Sequence, residues 1–250
     1  MPIAENDWIK IDYIGRLKEN GKVFDTTMED IARSEAIFDE KRKYEPLLCR
    51  TGDERFLIPG LAKKLIGLEI NKTQSFEIPT KEAYGERDSG KIEMVPTKKL
   101  RNAKIDPRLG ALIQFQGRYG KIIFVGGGRT RIDFNHPLAG KDLNFDVTVV
   151  EQIQDISQIQ KELISRRFPG VNIEDIKIET SNDLENITIT LPNYLIFMEG
   201  LAISKYTLAS DLRDYLEFKE VRFLDIFDYR EKEAKEEKPK EDNLNSKESD

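Results

Sequence analysis

The sequence predicts an α+β protein of several units, on three observations. Trp8–Leu17 and Leu143–Val150, far apart in the chain, both alternate apolar and polar residues with the period of two that marks a half-buried strand. Between them lies a group of short alternating runs separated by glycines, and beyond Gln152 helical and strand patterns mix. At 250 residues the chain is too long for one small core and comfortable for two or three.

In order along the chain, Trp8–Leu17 meets a turn at Glu19-Asn20-Gly21 and a short strand Lys22–Asp25; Asn-Gly between apolar runs is a strong hairpin signal. Met28–Lys43 has helix formers with Ile31, Ala32, Ala36 and Phe38 near helical spacing, and predicts a helical bulge. Leu47-Leu48 starts a new extended piece, Thr51-Gly52-Asp53 turns it, and Pro59-Gly60 opens a helix reaching Leu68. Phe76–Pro79 is a strand and Thr80–Gly85 a loop.

After Gly85 a polar linker leads into Ile92–Val95, Leu112–Gln116, Lys121–Val125 and Thr130–Asp133, separated by Gly117, Gly120 and Gly126-Gly127-Gly128. This predicts a small all-β unit inserted over 87–131. The chain returns at Asn135-His136-Pro137, and Leu143–Val150 then serves as an edge-completing strand, so the first domain is discontinuous over 1–86 and 132–153. A third unit over 154–229 is α+β: a helix Ser157–Arg167 capped by Asp155 or Ser157, strands Asp175–Glu179 and Asn186–Leu191, a helix from Asn193 to Leu216 broken near Gly200, and a strand Glu220–Ile226. Residues 230–250 carry almost no large apolar side chain except Leu244, which predicts a disordered charged tail.

Composition limits the function. A net charge of −6 opposes nucleic acid as a partner, because that affinity comes from clustered Lys and Arg releasing counterions. The single cysteine, Cys49, excludes an intramolecular disulfide and any cysteine-based metal cage, which fits a reducing cytoplasm. The N-terminal residues lack a basic stretch followed by an apolar one, and no apolar run approaches the roughly 18 residues of a membrane span. The expected location is cytoplasmic, with no membrane partner.

The inventory for bond-breaking chemistry is short. His136, the single histidine, is readable as a general base or metal ligand, but without a second histidine or a cysteine cluster a loop-orienting role is the better reading. Asp133, Asp142 and Asp146 read as solvated carboxylates rather than a cation site. Gly126-Gly127-Gly128 lacks the Lys-Ser/Thr and following helix of a phosphate loop and reads as a turn. What stands out is apolar material where strands meet loops: Tyr13, Phe24, Phe56, Leu57, Ile58, Leu61, Tyr84 and Phe145. Asp25 follows an apolar residue at a strand end, and if buried it needs a partner, Tyr13 or a backbone N–H. In the inserted unit Leu112, Ile113, Phe115, Ile122, Ile123 and Phe124 exceed what so small a body can bury on both faces, which leaves two readings of equal weight: some stay exposed to bind extended segments of other chains, or most are plain core.

Val23-Phe24-Asp25-Thr26-Thr27, Leu57-Ile58-Pro59-Gly60-Leu61, Ala83-Tyr84-Gly85 and the run from Asn135 to Val147 resemble the successive signature segments of FKBP-type peptidyl-prolyl isomerases. They resemble in particular the SlyD-like branch, where an inserted β chaperone domain replaces a flap loop, and residues 154–229 resemble the C-terminal domain of long archaeal members. The resemblance implies an FKBP-like antiparallel sheet with a packed helix and a prolyl isomerase coupled to a chaperone. Its catalytic set would be Tyr13, Phe24, Asp25, Ile58, Tyr84 and Phe145. Leu47, Leu57, Leu61, His136 and Leu138 would contact substrate, with Leu61 where many eukaryotic relatives carry tryptophan. The chaperone surface would be Leu112, Ile113, Phe115, Ile122 and Phe124. No cofactor or metal is implied, and the partners would be unfolded or nascent polypeptides containing X–Pro bonds. A homodimer through the C-terminal domain, using the apolar stretch Tyr194–Met198, is also expected. The competing reading is a non-catalytic holdase or dimeric scaffold that keeps the fold.

Overall fold

In the computed structural model the described residues are 2–181 and 185–227, and the chain divides into two compact units, one ending at Gln154 and one beginning at Asp155. The tail expected to be disordered, 230–250, lies outside the described residues.

The first unit carries β1 (Trp8–Leu17), β2 (Val23–Thr26), α1 (Glu29–Ser34), β3 (Leu47–Arg50), α2 (Pro59–Lys64), β4 (Thr73–Ile78), β5 (Ile92–Pro96), α3 (Thr97–Asn102), β6 (Leu112–Phe115), β7 (Arg118–Gly126), β8 (Arg129–Asp133) and β9 (Leu143–Ile153). A five-stranded antiparallel sheet runs β2-β1-β9-β4, and β3 shares with β2 one edge of β1: Trp8–Ile11 pair with β3 and Ile14–Arg16 with β2. The odd residues of β1, Ile9, Ile11, Tyr13 and Leu17, are buried beside Leu143, Phe145, Val147 and Val149 of β9. The expected position of the last strand needs correcting. It lies inside the sheet, paired to β1 on one side and β4 on the other. Alternation reports which face is buried, not which edges are paired.

Helix α2 covers this buried face with Leu61, and Leu65 just beyond its end packs there too. Pro59 opens it, as a residue with no N–H to leave unpaired. A β-carbon on Gly60 would stand 2.7 Å from Ile78 Cγ2, so glycine lets the helix lie close on the sheet. The helix ends earlier than expected, and Gly67 turns the chain with φ +86°. The bulge at Met28–Lys43 is likewise less helical than expected. Only Glu29–Ser34 form α1, and Ala36 at φ +56° stops it.

The inserted sheet runs β5-β8-β7-β6 around Val95, Leu100, Phe115, Ile122 and Ile132. It is not all-β. Helix α3 supplies Leu100, fully buried, and with a single apolar residue in Thr97–Asn102 no periodicity announces it. Two residues assigned to an exposed surface are core instead: Phe115 and Ile122 are buried, and Ile113 is half-buried against them. Leu112 is 76% exposed and Phe124 43%. The register explains the difference. Ile122 pairs with Ile132 but Phe124 with Arg131, so the extra residue, Ile123, turns Phe124 to the opposite face.

The second unit contains α4 (Ile156–Arg167), β10 (Lys177–Thr180), β11 (Asn186–Leu191), α5 (Leu201–Leu216) and β12 (Glu220–Asp225). Asp155 caps α4 by accepting the Ser157 N–H at 3.1 Å. Strand β11 is central, antiparallel to β10 and parallel to β12. Arg167 of α4 donates to Asp211 of α5 at 2.8 Å. Residues 193–197 form a short 3₁₀ turn that leaves Tyr194, Ile196 and Phe197 exposed.

Candidate active site

The site is built around a missing side chain. Gly15 pairs with Asp25 of β2 on one side and Phe145 of β9 on the other, and a β-carbon there would lie 2.7 Å from Phe24 Cζ and 3.0 Å from Phe145 Cε1. Two rings thus close over the strand where glycine leaves room. Phe24 meets Phe145 edge to face at 5.8 Å and 85°, and Tyr13 lies 5.9 Å from Phe145. The Tyr13 backbone is held by Thr27, whose Oγ1 accepts its N–H at 3.0 Å, and by Thr26, whose hydroxyl donates to its carbonyl at 2.8 Å.

These rings wall a cavity of about 460 Å³ that also collects Asp25, Leu47, Leu57, Ile58, Leu61 and Tyr84. Glu54, Arg55, Phe56 and Pro59 line it as well, outside the sets assigned to catalysis and substrate contact. Phe56 had stood out among the apolar residues where strands meet loops and Pro59 lies within a motif segment, but nothing in the local pattern marks Glu54 or Arg55. His136 and Leu138, expected among the substrate contacts, do not line the cavity. Leu138 packs on the core of the unit, and His136 stacks on Tyr84 with ring centroids 4.0 Å apart and planes 7° from parallel. Spacing within the motif placed both near the site but not the direction in which they point.

The Tyr13 hydroxyl donates to Asp25 Oδ2 at 2.6 Å, and the Arg42 guanidinium bonds the other carboxylate oxygen. Burial first, and then the adjacent Asp25, push the Tyr13 phenol well above its ordinary range, against the opposing pull of Arg42. It therefore stays a proton donor. Arg42 was not anticipated. It lies over Tyr44 at 5.4 Å, Tyr44 stacks on Phe38 at 5.4 Å and 16°, and Arg33 caps Phe38 at 3.5 Å. Alternating cations and rings in an irregular segment carry no periodicity that would have revealed this stack.

Two donor groups on residues that line the cavity bond no described residue. Ile58 is extended at φ −60°, ψ 147°, and its carbonyl accepts the Leu61 and Ala62 N–H groups while its own N–H bonds no described residue. Tyr84 has a hydroxyl that bonds no described residue, and partial desolvation followed by Asp25 raises its phenol. Burial lowers the His136 imidazole.

Of the three carboxylates read as solvated, Asp142 is exposed and Asp146 partly so, while Asp133 needs correcting. Asp133 is buried, accepting from Asn135 and pairing with Arg87. Asp142 accepts the Thr80 N–H and hydroxyl, and Asp146 the Ser75 hydroxyl and Arg16. Among the described residues no group of three or more His, Cys, Asp or Glu is placed to hold a metal. The cavity sets the charged groups Asp25, Glu54 and Arg55 among aromatic and aliphatic side chains.

Comparison with known proteins fits this geometry. A family model described as "FKBP26, IF domain" matches residues 93–138, and one described as "FKBP26_C-terminal" matches 158–228. A short-type peptidyl-prolyl cis-trans isomerase of Methanocaldococcus jannaschii is 37% identical over 147 residues, covering 59% of this chain and 92% of that protein. The FKBP-type 16 kDa peptidyl-prolyl cis-trans isomerase of Escherichia coli is 31% identical over 112 residues, 43% of this chain and 74% of its own. The chain belongs to the FKBP-type peptidyl-prolyl cis-trans isomerases. An FKBP-type isomerase named SlyD, from Helicobacter pylori, is 27% identical over 120 residues, 47% of this chain and 64% of that one. Within the family this chain has Leu61, 2% exposed, on the helix beneath the cavity. No helix among the described residues is long and apolar enough to cross a membrane.

Proposed function

We propose that this chain isomerises X–Pro bonds in unfolded polypeptides held by its inserted sheet. The observation that carries the reading is a cavity walled by Tyr13, Phe24, Leu61, Tyr84 and Phe145, with Asp25 at its wall and two donors, Ile58 N–H and Tyr84 O–H, that bond no described residue. An X–Pro bond is planar through amide resonance and crosses a barrier of about 18–20 kcal/mol. No covalent intermediate is required. In the twisted transition state conjugation is lost and the carbonyl holds water less strongly, so the aromatic and aliphatic wall of the cavity favours that state over the planar one. Phe24, Leu61 and Phe145 surround the proline ring. Ile58 and Tyr84 anchor the flanking backbone, and Asp25, held between Tyr13 and Arg42, presents a fixed charge beside the rotating bond.

The inserted sheet supplies the holding function. Leu112 and Phe124 are exposed, Leu109 and Tyr119 with them, and β6 ends the sheet with an unpaired edge. Exposed apolar groups beside a free edge take up extended chain by strand addition, and a tethered client then meets the cavity at high effective concentration.

A protease-coupled assay on an Ala-Leu-Pro-Phe peptide separates this from a holdase. Activity in the full chain, and its loss in a folded Phe145→Ala variant, is the expected result; an inert full chain would leave only the holdase reading. Replacing residues 89–134 by a short linker should spare the peptide reaction and abolish acceleration of proline-limited refolding, and equal loss of both would defeat the division of labour.

A further inference from the structure

We propose that His136 is a positioning residue for this reaction, the platform on which the Tyr84 ring is held so that its hydroxyl meets the substrate backbone. The proposal rests on the isomerase reading. Tyr84 lines the cavity on a loop, is 37% exposed, and has one ring partner among the described residues, the imidazole stacked on it at 4.0 Å and 7°. Without that partner it is a surface tyrosine free to change rotamer, and an anchor that must first be ordered binds substrate less well.

The platform is itself fixed. His136 Nδ1 accepts the Leu138 N–H at 3.2 Å, which leaves the ring proton on Nε2 and sets the ring plane. On either side of the stack the two loops are joined. The Asn135 side chain accepts the Asp88 N–H at 2.9 Å and donates to the Asp88 carbonyl at 2.8 Å. The Gly140 N–H reaches the Gly85 carbonyl at 2.9 Å, and Asp142 holds the N–H and hydroxyl of Thr80. Two aromatic rings that are each partly exposed are thereby held in one geometry by the backbone beneath them. Because Tyr84 anchors the substrate in the planar and twisted states alike, the platform contributes uniform binding, which acts on KM rather than kcat.

The test is kinetic, on the full chain. His136→Ala should raise KM for the tetrapeptide by about two- to tenfold, the range of one stacked aromatic pair, with kcat nearly unchanged. His136→Phe keeps a flat ring and should restore most of the loss. In a Tyr84→Ala background, His136→Ala should add nothing further. His136 is the single histidine, so its Cε1–H gives one isolated proton resonance, displaced by the Tyr84 ring current and returned to its ordinary position in Tyr84→Ala. A KM unchanged in His136→Ala, or a loss that persists fully without Tyr84, would overturn the proposal. Should the full chain prove inert, the isomerase reading falls, and calorimetric affinity for the same peptide across the same variants still decides whether the stack positions an anchor.

Discussion

Gly15→Ala is the sharpest perturbation of the cavity, because it adds one methyl at the point where both rings converge. That methyl would stand 2.7 Å from Phe24 Cζ and 3.0 Å from Phe145 Cε1. Carbon atoms rest at about 3.5–4.0 Å, so each ring must retreat by roughly 0.5–1 Å. Phe145 is 5% exposed and confined between Tyr13 and Phe24, whereas half-buried Phe24 has solvent to move into. Overpacking of this kind costs about 1–3 kcal/mol, and alanine recovers about 0.5–1 kcal/mol of backbone entropy relative to glycine in a strand. The net loss of stability is therefore at most about 2.5 kcal/mol, read as a shift of the urea midpoint. Activity should suffer more, since displacing a reacting wall by about 1 Å costs on the order of 100-fold. The protease-coupled tetrapeptide assay measures it as kcat/KM. Shortening the obstructing ring with Phe24→Leu in the Gly15→Ala background should restore stability first. A Gly15→Ala protein as stable and as active as the parent would refute the close approach on which the cavity's shape rests.

Arg42→Ala should lower kcat/KM about fivefold, corresponding to roughly 1 kcal/mol for a charge-assisted bond at a half-exposed site, while Arg42→Lys keeps part of it. Peptide kinetics with a melting curve as control would show it, and full activity would remove Arg42 from the site. Acid should destabilise the first unit through Asp133. Burial raises its carboxyl, but the backbone and side-chain bonds with Asn135 and the Arg87 guanidinium outweigh it and leave the folded value below the ordinary one. A carboxyl depressed in the folded state contributes stability that is present above its unfolded pKa of about 3.9 and is lost as pH falls through the folded value. Melting temperature should hold from neutrality to about pH 5 and drop below about pH 4. Asp133→Asn should cost about 1–2 kcal/mol at pH 7 and flatten that acid slope, and an undiminished slope would exonerate Asp133.

The sequence by itself determined what local patterns can carry. Alternation marked β1 and β9, Asn20-Gly21 marked the hairpin that Gly21 closes at φ +70°, and Pro59 marked the start of α2, while the cap of α4 was narrowed to Asp155 or Ser157. The motif positions that line the cavity, from Tyr13 to Phe145, were also legible, because their segments resemble the signature segments of a known family. Only the tertiary structure decided the rest. The interior place of β9, the burial of Leu100 on α3, and the opposite facing of Ile122 and Phe124 depend on strand pairing and on a one-residue bulge, which no single strand encodes. Arg42 reaches Asp25 across 17 positions of irregular chain, and His136 turns its ring to Tyr84 rather than to the cavity. Those choices come from packing between distant segments, where one register or rotamer wins by the contacts it completes.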